Sequence, residues 1–263
     1  MPTLERPTVT VSYRDEGQGD PALVFLHGWC DDSGSWGATL SEFSQGHRCL
    51  APDMRGHGQS GQPRDHSYWP ESLSNDVVAI CEAAGVERPV LIGHSFGGFL
   101  AATVAQRFPG FARAIVVEDQ PLDLRGFTGQ MRTVEGVIRS PEHHMAFRDQ
   151  LFESMITSAL GPADRDLISR SKLATPVEVG QALWAPLFDL TEAEIAARSD
   201  ALIDALAAQP SLVIDGQPQP EYHALVARRA PSARTMVIPS GHWIHLEHAP
   251  EFRAALREFV GSL

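Results

Sequence analysis

The sequence predicts an α/β fold, a mostly parallel, doubly wound sheet with a block of helices inserted late in the chain. Three observations predict it. Short apolar and β-branched runs alternate with helix-like stretches along most of the sequence. Several runs, such as Ala22-Leu23-Val24-Phe25-Leu26 and Ala114-Ile115-Val116-Val117, are apolar without interruption. Such runs suit strands buried on both faces of a parallel sheet. The alternation stops between residues 122 and 208, then resumes.

In chain order, strands are predicted at 9–14, 22–27, 48–52, 90–93, 114–118, 211–215 and 235–239. A helix at 72–84 is bounded by Pro70 and Gly85, and one at 97–108 stops at Pro109-Gly110. Within the interruption, helical stretches run over 142–160, 176–188 and 192–207, and a closing helix over 250–260. The organisation expected is a core of residues 1–121 and 208–263, with residues 122–207 as a helical cap over the carboxyl ends of the strands.

Composition narrows the function. Hydrophobic residues at 43% and charged residues at 21% allow a sizeable buried core and argue against disorder. A net charge of −12 repels phosphate backbones and anionic lipid, so neither nucleic acid nor a membrane is an expected partner. Three cysteines without a CxxC pair suggest no disulfide framework or structural zinc. The first residues lack a basic segment followed by an apolar run, and no apolar stretch reaches membrane-spanning length. The expectation is a cytoplasmic protein. Its oligomeric state stays open.

Residues 90–98 read Val-Leu-Ile-Gly-His-Ser-Phe-Gly-Gly, an apolar strand running through Gly93-x-Ser95-x-Gly97 into a helix. That is a nucleophile elbow. The serine sits on a tight strand-to-helix turn, and glycines stand where side chains would strike the neighbouring strand and helix. The helix N-terminus adds free N–H groups beside the hydroxyl. His27-Gly28-Trp29-Cys30 follows another apolar strand, where the backbone N–H of Trp29 can pair with that of Phe96 to hold an oxyanion. His94 and Trp184 are further candidates for contact with substrate, and Trp184, Phe188, Phe152 and Met155 for lining an apolar pocket. Arg55-Gly56-His57-Gly58-x-Ser60 is read as shaping a loop. His143 and His144 are adjacent on a helix and diverge, so joint metal ligation is not expected.

His242, in Pro239-Ser240-Gly241-His242, follows the last strand, where the chain order serine, acid, histidine puts the base. His245 and His248 are weaker rivals, expected to be solvated. In most α/β hydrolases the acid lies just past the penultimate strand, but here Gln219 holds that slot. An amide cannot stabilise an imidazolium as a carboxylate does. Asp119, ending the strand at 114–118, is preferred to Asp215, which can point away; Glu118 is expected on the opposite face because strand residues alternate.

The elbow, the His-Gly loop, the Arg55–Ser60 pattern and the late histidine resemble the α/β-hydrolase superfamily over essentially the whole chain. Three features resemble one branch of it, the cofactor-free 2,4-dioxygenases of 3-hydroxy-4(1H)-quinolones. These are Gly28-Trp29-Cys30 with Asp31-Asp32, Gln217-Pro218-x-Pro220-Glu221-Tyr222, and an acid at the end of Val117-Glu118-Asp119. The resemblance implies that His242, oriented by Asp119, removes the 3-hydroxyl proton. The electron-rich anion then meets O₂ without metal or flavin, and a cyclic peroxide breaks down to carbon monoxide and an N-acylanthranilate. Ser95 would hydrogen-bond substrate rather than attack it. Asp31 and Phe96 stand where quinaldine-type members carry histidines, and Gln120 where they carry tryptophan. A more apolar pocket would suit a 2-alkyl quinolone such as the 2-heptyl signalling molecule. Two rival readings are a serine hydrolase acting on an ester, lactone or C–C bond through Ser95-His242-Asp119, and a catalytically retired binder of a small ligand.

Overall fold

The computed structural model describes all 263 residues. Eight strands form one sheet: β1 (Thr3–Glu5), β2 (Thr10–Glu16), β3 (Leu23–Leu26), β4 (Cys49–Pro52), β5 (Val90–His94), β6 (Ala114–Glu118), β7 (Ser211–Asp215) and β8 (Arg234–Val237). Their order is β1-β2-β4-β3-β5-β6-β7-β8. Pairing is antiparallel at β1/β2 and β2/β4 and parallel everywhere else.

The uninterrupted apolar runs have a simple cause. In β3, Leu23 and Phe25 enter the core on one face while Val24 and Leu26 enter the core on the other. Ala114 and Val116 of β6 alternate with Ile115 and Val117 in the same way. With a period of two and both faces covered, no position is left for a polar residue.

The covering helices are α1 (Gly37–Phe43), α2 (Pro70–Ala83), α3 (Phe96–Arg107), α11 (Pro220–Arg229), α12 (Ile244–Glu247) and α13 (Ala249–Gly261). Between β6 and β7 the chain makes no strand and seven helices: α4 (Arg125–Arg132), α5 (Glu135–Arg139), α6 (Pro141–Met155), α7 (Pro162–Ala174), α8 (Val177–Ala182), α9 (Ala185–Asp189) and α10 (Glu192–Ala205). α10 begins with a reciprocal capping box between Thr191 and Glu194 and packs along α3. No helix is long and apolar enough to cross a membrane.

Several sequence expectations need correction. The predicted helix over 142–160 ends at Met155, and α7, which starts with Pro162 after Gly161, was not expected. The stretch 176–188 is two short helices broken at Leu183-Trp184. α4, α5 and α11 and the three-residue β1 were also unread. The loop expected from Arg55–Ser60 is there: Arg55 Nε donates to Asp76 at 2.8 Å, and the Asp53 carboxylate accepts from the N–H of Ser33 and of Gln59 at 2.8 Å each.

Candidate active site

Ser95 joins β5 to α3 with φ 52° and ψ −124°, a backbone conformation that side chains resist at a cost of about 1–3 kcal/mol. The elbow's two glycines make it possible. A Cβ on Gly93 would lie 2.1 Å from the Gly97 carbonyl oxygen, and one on Gly97 would lie 2.1 Å from that of Leu26. The turn thus presses α3 directly onto β3 and β5, with the serine at its tip.

His242 lies in the loop after β8. Its Nδ1–H donates to Asp119 Oδ2 at 2.6 Å, and the other carboxylate oxygen accepts the Gly216 N–H at 2.8 Å. Asp119 ends β6 with φ 48°, a left-handed bend that a short polar side chain tolerates. The bend turns its carboxylate toward His242. Asp215, the rival, instead bonds His223 at 2.6 Å, and burial raises its carboxyl to about 6. Gln219 stands just before α11, and its side chain makes no hydrogen bond to His242.

His94, expected to contact substrate, lines the cavity and also bonds its neighbours. Nε2–H donates to the His242 carbonyl at 2.9 Å, and the two rings lie 4.6 Å apart. Burial, together with the rings of His242 and His245, holds the His94 imidazole well below its usual range, so it is neutral. The expectation of a solvated His245 is corrected. That ring is buried, stacks on Trp36 at 4.1 Å, and accompanies its own N–H in donating to Glu118 Oε1, both at 2.8 Å. His144 is buried and His143 exposed, so the adjacent pair does diverge.

Ser95, His242 and Asp119 line one cavity of about 330 Å³. Its walls are largely apolar, with rings from Trp29, Phe96, Phe99, Phe127, Phe152, Trp184 and Trp243 among aliphatic side chains. Phe188 is not among them and instead carries the Arg139 guanidinium at 5.1 Å from its ring. The N–H of Trp29 has no acceptor in the protein, and Phe96, first in α3, precedes the reach of intrahelical bonds. Two donors therefore stand beside Ser95. Two bonds tie this floor to the helices above it: Trp29 Nε1 donates to the Gly180 carbonyl at 2.9 Å, and the His242 N–H to that of Met155 at 3.1 Å. Many lining residues escaped the sequence reading of the pocket, two of them charged residue types. Asp31, noted only as part of a motif, is buried and its carboxyl is raised by that burial; Arg198 on α10 gave no motif signal.

The sheet order, the elbow and the late histidine together decide the class. The chain has the α/β-hydrolase fold. Residues 21–145 match the family model described as alpha/beta hydrolase fold. The sequence is 28% identical to mouse sn-1-specific diacylglycerol lipase ABHD11, covering 91% of this chain and 81% of the relative. It is also 28% identical to 2-hydroxymuconate semialdehyde hydrolase of Pseudomonas putida, over 99% of this chain and 95% of that one. Among solved structures, the enzyme AqDC, described by recognition and ring cleavage of the Pseudomonas quinolone signal, superposes with a TM-score of 0.83, 20% identity and full coverage of both chains. At that identity the likeness speaks for the fold.

Proposed function

We propose that this α/β-hydrolase-fold protein is a cofactor-independent dioxygenase that opens the heterocycle of a 2-alkyl-3-hydroxy-4(1H)-quinolone. The observation that carries the reading is the place of the acid. His242 is held by Asp119 at the end of β6, while the segment after β7 sends it no carboxylate. This is the arrangement that the resemblance to the quinolone 2,4-dioxygenases implies. The aromatic cavity suits a flat bicyclic ring with an alkyl tail.

In this reading Asp119 fixes His242 with its proton on Nδ1, leaving Nε2 to take the 3-hydroxyl proton. The N–H groups of Trp29 and Phe96 hold the oxyanion, and Ser95 donates to the substrate. O₂ adds to the anion, and the cyclic peroxide collapses to carbon monoxide and an N-acylanthranilate, which together contain every atom of quinolone and O₂. The expected partners are the quinolone and O₂, in the cytoplasm.

Oxygen uptake and carbon monoxide release, measured over a panel of 3-hydroxy-4(1H)-quinolones, test the reading. Ser95→Ala should keep partial turnover and His242→Ala should lose it. A purified protein that consumes none of the panel would overturn it.

A second reading, a serine hydrolase, draws on Ser95 itself, poised on its elbow beside two free N–H donors. Covalent labelling of Ser95 by an organophosphate, hydrolysis of p-nitrophenyl esters and complete loss of turnover in Ser95→Ala would favour it.

A further inference from the structure

One charge in the cavity is unused by this chemistry. Arg198 is the only arginine or lysine lining the cavity. It shares that lining with apolar residues of the elements around it: Leu190, Ile195 on the same face of α10, Pro70 at the start of α2, and Phe99 one turn along α3 from Phe96. Its side chain is 22% exposed. We propose that Arg198 forms a second subsite, which takes a carboxylate at the end of an otherwise apolar ligand.

The bonding of the guanidinium leaves room for this. Nη2 donates to Glu71 Oε1 at 2.8 Å, while Nε and Nη1 make no hydrogen bond within the protein. Glu71 is 42% exposed, so water screens that ion pair and its hold on Arg198 is weak. Glu194, one turn back on α10, is occupied by the N–H and hydroxyl of Thr191. An arginine with donors to spare can pair an N–H of Nη1 or Nε with the second N–H of Nη2 on a planar carboxylate. The two lining acids belong to other parts of the site: Asp119 is bonded to His242 and Gly216, and Asp31, after the Trp29 loop, accepts the Asp32 N–H at 2.8 Å while burial raises its carboxyl. A ligand spanning the cavity would therefore place its reacting group at Ser95 and His242 and its charge at Arg198. This subsite serves the cavity assigned above to substrate, whichever co-reactant is used there.

Binding alone tests it, with no turnover, so its failure is separate from failure of the ring-cleavage reading. Decanoate and decanamide share chain length and shape and differ in charge. Their binding can be followed by quenching of tryptophan fluorescence, since Trp29, Trp184 and Trp243 line the cavity. The intact protein should bind decanoate about tenfold more tightly than decanamide, as a charge-assisted pair in a half-dry site predicts. Arg198→Gln should abolish that preference while decanamide binds as before. Glu71→Gln should enlarge it by freeing the guanidinium. Equal binding of the two probes, or a preference that survives Arg198→Gln, would overturn the subsite. So would loss of the preference in Glu71→Gln, which would make Arg198 a latch between α10 and α2. Should Arg198→Gln bind neither probe, the direction of the Glu71→Gln change decides.

Discussion

Two consecutive residues at the end of β6 each hold a histidine, and the two pairs have opposite surroundings. Asp119 meets His242 with both side chains partly exposed, 22% and 16%, at the wall of a cavity. Glu118 meets His245 with neither side chain exposed at all. The acids face opposite ways because strand residues alternate, and the left-handed bend at Asp119 completes the turn toward the cavity. The histidines are three residues apart, so one short loop is gripped at two points by one strand end. The buried pair holds the loop in register, and the open pair keeps an imidazole nitrogen available. The same chemical pair is thus sealed inside the fold in one place and left open to a cavity in the other.

Mutation can break this division of labour. The largest effect is expected from His242→Ala, which should lower kcat roughly 10³–10⁴-fold, the upper range for loss of a general base. Its melting temperature should stay close to that of the parent; a large fall would show the open pair to be an anchor too. Glu118→Gln should do the reverse. The buried His245 N–H and Nδ1–H both donate to Glu118 Oε1, and leaving a buried donor poorly satisfied costs about 1–3 kcal/mol. Urea unfolding should show that loss, while activity per folded molecule stays within about tenfold, well short of the factor expected for a general base.

pH offers a gentler probe. His94, between the two pairs, is held well below 6.5, and burial pushes His57 down to about 3. Below about pH 6.5 the unfolded chain takes up protons that these folded rings refuse. The stability carried by these two rings should therefore be full above that pH and fall as pH drops, by about 1.4 kcal/mol per pH unit for each ring. Below about pH 6 the raised carboxyl of Asp215, which takes up its proton first in the fold, offsets that fall in part. Unfolding curves from pH 7 to 5 check this, and His94→Asn should flatten the slope by one ring's share. An unchanged slope would mean that His94 accepts its proton in the folded state.

The sequence carried the sheet better than the helices. β3, β5, β6 and β7 were readable because burial on both faces leaves an uninterrupted apolar word. β1 was not, since Thr3-Leu4-Glu5 is short and mostly exposed. α4, with the sequence Arg-Gly-Phe-Thr-Gly-Gln-Met-Arg, carries two glycines and buries only Thr128, so tertiary packing overrides weak local preference there. Ser95, His242 and Asp119 were legible because each sits at a strand end fixed by the topology. The partner of His245 was not, because Glu118 lies 127 residues away and nothing local announces it. Arg198 was invisible for a similar reason: only the meeting of α10 with α2 and α3 gives that arginine a cavity to face.

The two bonds from the floor to the helices above it have a mechanical consequence. The Trp29 loop hangs from Gly180, and the His242 loop from Met155. Any swing of those helices wide enough to admit a bulky molecule would tug both loops out of alignment. The Trp29 N–H and the His242 ring would then stand together only with those helices seated, and water entering an opened chamber would meet them apart.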